Sequence, residues 1–79
     1  GVPDDVPEVT VQGPLPLFRL VSKAGLSQSN NEARRLVDQG AVSLDGEKLS
    51  DPTREIPLSD EPILLKVGKR RFARVRIEG

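Results

Sequence analysis

A chain of 79 residues makes one small domain at most, with room for a single modest core. It has no cysteine and no histidine, which excludes disulfides, thiolate or imidazole metal ligands, a cysteine nucleophile and the usual neutral-pH general base. The formal charge is zero, from 12 basic and 12 acidic side chains, but the signs are segregated along the chain.

Residues 63–79 hold Lys66, Lys69, Arg70, Arg71, Arg74 and Arg76 against Glu78 alone. Residues 51–62 hold Asp51, Glu55, Asp60 and Glu61 against Arg54. A neutral total therefore does not argue against an anionic partner. Phe18 and Phe72 are the only aromatic residues, so a base-stacking platform is not expected. No apolar run approaches the ~20 residues that span a bilayer, and no membrane partner is expected. The absence of cysteine fits a cytoplasmic location.

Residues 1–14 read as a linker from the preceding part of a longer chain, and residues 15–79 as the domain. Pro3, Pro7 and Pro14 interrupt any helix there, and Asp4 and Asp5 make the start unlike a signal peptide. Val9 and Val11 suit a short extended segment along the domain edge.

The first helix is expected in "PLPLFRLVSKAGL". Pro16 suits the first helical position, and Leu17, Leu20, Val21 and Ala24 form one apolar stripe. Gly25 suits the left-handed closing residue, with Leu26 as its hydrophobic contact. Arg19 and Lys23 lie four apart on another face.

The second helix is expected in "SNNEARRLVDQG". Ser29 and Glu32 form an S-x-x-E capping box, Ala33, Leu36 and Val37 face inward, and Gly40 closes the helix. Arg34 and Arg35 fall off the apolar stripe. After Gly40 the period changes to two. Asp45-Gly46 is a tight-turn signal, with Lys48 and Leu49 on the return strand. "SDPTREIPLSDEP" reads as a polar connection. "ILLKV" and "RFARVRI" read as a closing hairpin around Gly68, with Ala73, Val75 and Ile77 on one face and Phe72, Arg74 and Arg76 on the other. The expected class is α+β: a two-helix motif packed on a small antiparallel sheet.

Guanidinium forks match phosphate oxygens, and a capped helix start offers partial positive charge with free N–H groups. Arg34, Arg35, Ser29 and Asn30 therefore form the first candidate anion site. Lys48, Arg19 and Lys23 could extend it, and Arg70 and Arg71 belong to the densest basic run. The competing account is a solvated helix face with Arg34 and Arg35 paired to Asp38, an edge strand protected by charge, and Arg74 and Arg76 paired to Asp51, Glu55 or Asp60.

The series "AGLSQSNNEARRLVDQGAVSLDGEKLSDP" resembles the αL RNA-binding domain, the module named after ribosomal protein S-four. The flanking "PDDVPEV" and "VGKRRFARVRI" are similar to the C-terminal domain of bacterial tyrosyl-tRNA synthetases. The resemblance spans residues 2–78. It departs at Asp45, where the family often has Asn, and the added negative charge disfavours an RNA contact from that position. The resemblance implies a domain that holds tRNA(Tyr) near its anticodon stem and long variable arm. It also implies a cytoplasmic homodimeric parent that uses ATP elsewhere, and a fragment that is monomeric, with no cofactor and no catalytic residue of its own. An αL module serving ribosomal RNA, and a protein-docking domain with an exposed apolar patch around Phe18 or Phe72, are the alternatives.

Overall fold

The computed structural model describes residues 5–79. The expectations placed on Pro3 and Asp4 lie outside the described residues. In chain order the elements are β1 (Glu8–Gln12), β2 (Leu15–Pro16), α1 (Leu17–Lys23), α2 (Asn30–Asp38), β3 (Val42–Leu44), β4 (Glu47–Leu49), β5 (Glu55–Ile56), β6 (Ser59–Val67) and β7 (Arg71–Glu78).

Apolar residues alternate along β7, so Ala73, Val75 and Ile77 are buried while Arg76 and Glu78 face solvent. The strands assemble in the order β1-β7-β6-β3-β4, and both helices pack on the apolar face. Leu17, Leu20 and Val21 of α1 and Ala33 and Val37 of α2 are fully buried against Leu65, Val75 and Ile77. No charged or polar side chain among the described residues is buried.

The α+β class is as expected, but the sheet is mixed. Residues 8–12, inside the stretch read as linker, form the extended edge segment expected at Val9 and Val11; it runs parallel to β7, pairing Val9 with Val75 and Val11 with Ile77. Val11 is buried, which gives that strand an apolar anchor. The polar connection also contains structure: Glu55 and Ile56 pair with Pro16 and Leu15. β6 begins at Ser59, four residues before Ile63, through an irregular register.

Each helix end has a visible cause. Pro16 is the N-cap of α1 rather than its first residue, and it offers no side-chain cap. Carbonyls of the β4–β5 connection replace one: Leu17 N–H donates to Arg54 O at 2.9 Å and Phe18 N–H to Pro52 O at 3.0 Å. Both helices end in the paired closure in which the residues after the cap bond backwards. Gly25 donates to Ser22 O and Leu26 to Val21 O, while Gly40 donates to Val37 O and Ala41 to Leu36 O.

Candidate nucleic-acid interface

The start of α2 is open to solvent. Ser29 Oγ accepts the Glu32 N–H at 3.1 Å, as the sequence motif requires. The reciprocal bond is displaced by one residue: Glu32 Oε1 accepts the N–H of Gln28, not of Ser29. Ser27 Oγ donates to Ser29 O, which fixes the loop ahead of the helix. The N–H groups of Asn30 and Asn31 have no acceptor within the helix, so this end presents donors outward. By contrast, the start of α1 is already closed by Arg54 and Pro52.

Arg34 and Arg35 do not converge. Successive residues of a helix point about 100° apart. The Arg34 guanidinium lies over the Phe18 ring, 4.2 Å from its centroid, and so spans the α1–α2 seam. Arg35 lines a groove of about 550 Å³ between α2 and the β6–β7 turn, with Glu32, Leu36, Val67, Gly68, Lys69, Arg70 and Arg71. The structure thus brings Arg35 together with Arg70 and Arg71 and places Arg34 on the adjoining flank. Arg19 and Lys23 are exposed on α1, Ser29 and Asn30 form the open helix start, and Lys48 lies on β4 in a second cleft.

Arg71 has a structural task. It begins β7 on the same side as Ala73, the core side, and its Nη1 donates to Leu26 O at 3.0 Å. That bond joins residues 45 apart and ties the interhelical loop to the closing hairpin. Sequence reasoning grouped Arg71 with Arg70 by charge and missed this bond. The available signal was parity: Arg71 shares its strand face with Ala73, not with Arg74.

The acid-pairing account fails at these positions. Among the described residues the one ion pair is Arg54 with Glu47, at 3.8 Å and on exposed side chains. Arg34, Arg35, Lys69, Arg70, Arg74 and Arg76 have no acidic partner within that distance range among the described residues. Glu32 is the only acid in the groove lining, and one of its oxygens is already engaged by Gln28. Arg74 and Arg76 lie on the other sheet face beside Glu8 and Glu78 and belong to a different surface.

Asp45 is used by the fold. It takes a positive φ of 48° in the turn, and its Oδ1 accepts the Leu64 N–H at 2.9 Å. Its charge is thereby turned toward β6. Asp51 accepts both the hydroxyl and the N–H of Thr53, at 2.8 and 3.0 Å. Those bonds, the hydroxyl first, hold its carboxyl below the ordinary range. The docking alternative loses its apolar patch: Phe18 is buried under Arg34, Phe72 is half-buried beside Lys66, and Leu58 is the exposed large hydrophobic among the described residues.

The chain matches the family model described as "Tyrosine--tRNA ligase SYY-like C-terminal domain" over residues 1–75. It is 52% identical over 77 residues to the tyrosine–tRNA ligase of Syntrophotalea carbinolica, which covers 95% of this chain and 19% of that protein. It is 49% identical over 84 residues to the tyrosine–tRNA ligase of Salinibacter ruber, covering 96% of this chain and 20% of that protein. The tyrosine–tRNA ligase of Moorella thermoacetica is 47% identical over 75 residues, covering 94% of this chain and 18% of that protein. The chain therefore spans about a fifth of the length of the relatives it matches. On the family match and these identities, the chain belongs to the tyrosine–tRNA ligase SYY-like C-terminal domain family.

Proposed function

We propose that this chain is the tRNA-holding domain of a bacterial tyrosine–tRNA ligase. It grips tRNA(Tyr) along the anticodon stem and long variable arm, through phosphate and sugar contacts rather than base readout. The parent is a cytoplasmic homodimer that spends ATP in its catalytic body, and this chain alone is a monomer. The observation that carries the proposal is the groove of Arg35, Lys69 and Arg70 beside the donor-rich start of α2, whose cations have no acidic partner among the described residues. Arg34, Arg19 and Lys23 extend the same positive field over the α1 side. Ser29 and Asn30 supply short-range donors at the helix start. Held by one end on the catalytic body, tRNA would meet this domain at high effective concentration, so modest affinity suffices.

Ribosomal RNA is the weaker reading, since the relatives above are all tyrosine–tRNA ligases. The test replaces Arg34 and Arg35 together with alanine and follows binding of a tRNA(Tyr) transcript across a KCl series. Each lost phosphate contact lowers the slope of log K against log salt by about 0.7–0.9. The double variant should keep its far-UV circular dichroism and lose about 1–2 in slope. Unchanged affinity and slope in the folded variant would remove both arginines from the site.

A further inference from the structure

The β6–β7 turn has a second side. Behind it lies a cleft of about 380 Å³, lined by Gly40, Ala41, Val42, Ser43, Gly46, Lys48, Lys66, Gly68 and Lys69. Three lysines reach it, and among the described residues no carboxylate lines it. The register explains the convergence. Ser43 sits opposite Lys48 on one side and opposite Lys66 on the other, so the outer face carries a Lys–Ser–Lys row across three strands. With strands about 4.8 Å apart, the two lysine backbones stand about 10 Å from each other, with a hydroxyl between them.

The third lysine arrives with the turn, which is fixed by Gly68 N–H donating to Ala41 O at 2.8 Å. The Lys48 side chain lies across Gly40: a methyl group there would collide with its Cε and come within 2.8 Å of its Nζ. Lys66 rests 5.7 Å from the Phe72 centroid, near the outer limit for a cation–π contact. Edge protection accounts for Lys48, because β4 is an edge strand. It does not account for Lys66 on an interior strand or for Lys69 in the turn.

We propose that Lys48, Ser43, Lys66 and Lys69 form a second phosphate site, which takes a phosphodiester of the same RNA bound along the Arg35–Arg70 groove. This inference rests on the RNA-binding reading above. Gly68 and Lys69 line both cavities, so the RNA backbone rounds the β6–β7 turn from one to the other. Bare backbone at Gly46 and Gly68, where nothing lies within 4 Å of a Cβ position, lets the phosphate approach closely, and the serine hydroxyl supplies an uncharged donor between two ammonium groups.

The test uses the 79-residue chain carrying Lys48→Gln with Lys66→Gln, titrated with a tRNA(Tyr) transcript across a KCl series. The folded variant should bind several-fold more weakly, with a salt slope lower by about 1–2, and the Lys48→Arg, Lys66→Arg pair should restore the slope. An unchanged slope in the glutamine pair overturns the second site. If the slope still falls in the Arg34→Ala, Arg35→Ala chain, the RNA-binding reading survives that failure; if it falls in neither, both are lost. Inorganic phosphate provides a separate arm. Amide shifts at Ser43 and Gly46 with phosphate, together with an unchanged tRNA slope, would mark a generic anion cleft and overturn the RNA assignment.

Discussion

Gly40→Ala tests whether the Lys48 side chain lies across the space that Gly40 leaves open. The fold supplies its own control. Gly25 and Gly40 both follow a helix closed in the same way, with φ of +80° and +74°. A methyl group at Gly25 meets nothing within 4 Å, whereas at Gly40 it runs into the flexible end of the exposed Lys48 side chain. Gly25→Ala thus isolates the cost of an L side chain in the left-handed region, about 1–2 kcal/mol. Gly40→Ala adds only the swing of that flexible end into solvent, about 0–0.5 kcal/mol for a change confined to the surface. At about 4–8 °C per kcal/mol for a domain of this size, the two variants should melt within about 4 °C of one another. The chain has no Trp or Tyr, so thermal unfolding is best followed by far-UV circular dichroism. The contact itself is read at Lys48, whose side-chain Cε–Hε NMR signal should move in Gly40→Ala and stay put in Gly25→Ala. An unmoved Lys48 signal in Gly40→Ala would refute the contact, and a melting gap well above about 4 °C would refute the low cost of displacing it.

Ser29→Ala removes the acceptor for the Glu32 N–H and should cost about 1 kcal/mol, read as a lower Tm. Leu20→Ala opens a cavity at a fully buried position and should cost about 2–5 kcal/mol. Against a total of about 4–12 kcal/mol for a chain of this length, urea unfolding should shift to much lower midpoints. Arg71→Ala strips the Leu26 carbonyl of its donor; about 1 kcal/mol and faster amide exchange across residues 27–29 should follow, while Arg70→Ala leaves exchange there unchanged. Asp51 contributes stability that is present above the ordinary carboxylate pKa and is lost as pH falls through its lowered folded value. Thr53→Ala removes the hydroxyl that lowers it most, so the Asp51 carboxyl titration should move upward by NMR; an unmoved midpoint contradicts that cause.

Local chemistry made much of this fold legible. Gly25, Gly40, the Ser29 cap and the Asp45-Gly46 turn act within a few residues, and each sits where its pattern places it. The period-two reading of β7 sorted buried from exposed residues correctly for the same reason. Long-range pairing was not legible. Nothing within residues 8–12 says that they lie parallel to β7, some 66 positions later, because the partner strand supplies the hydrogen bonds. Val9 and Val11 marked an extended edge segment there, but the prolines around it punctuate only locally and say nothing of its partner. The candidate site shows the same division. Charge and helix position picked out Arg35 and Arg70, which meet across the groove, whereas the Arg34 stack on Phe18 and the Arg71 bond to Leu26 needed the packed molecule. Lys66 was not singled out and Lys69 counted only within the basic run with Arg70 and Arg71, because their meeting with Lys48 depends on strand register and a distant turn.

The most direct measurement is an NMR titration of this chain with a tRNA(Tyr) transcript at low and physiological salt. The account predicts amide shifts gathered on residues 27–35 and 68–71, with a second set at Ser43 and Gly46, all fading as salt rises. Shifts confined to the Leu58 side of the molecule, or none at low salt, would contradict it.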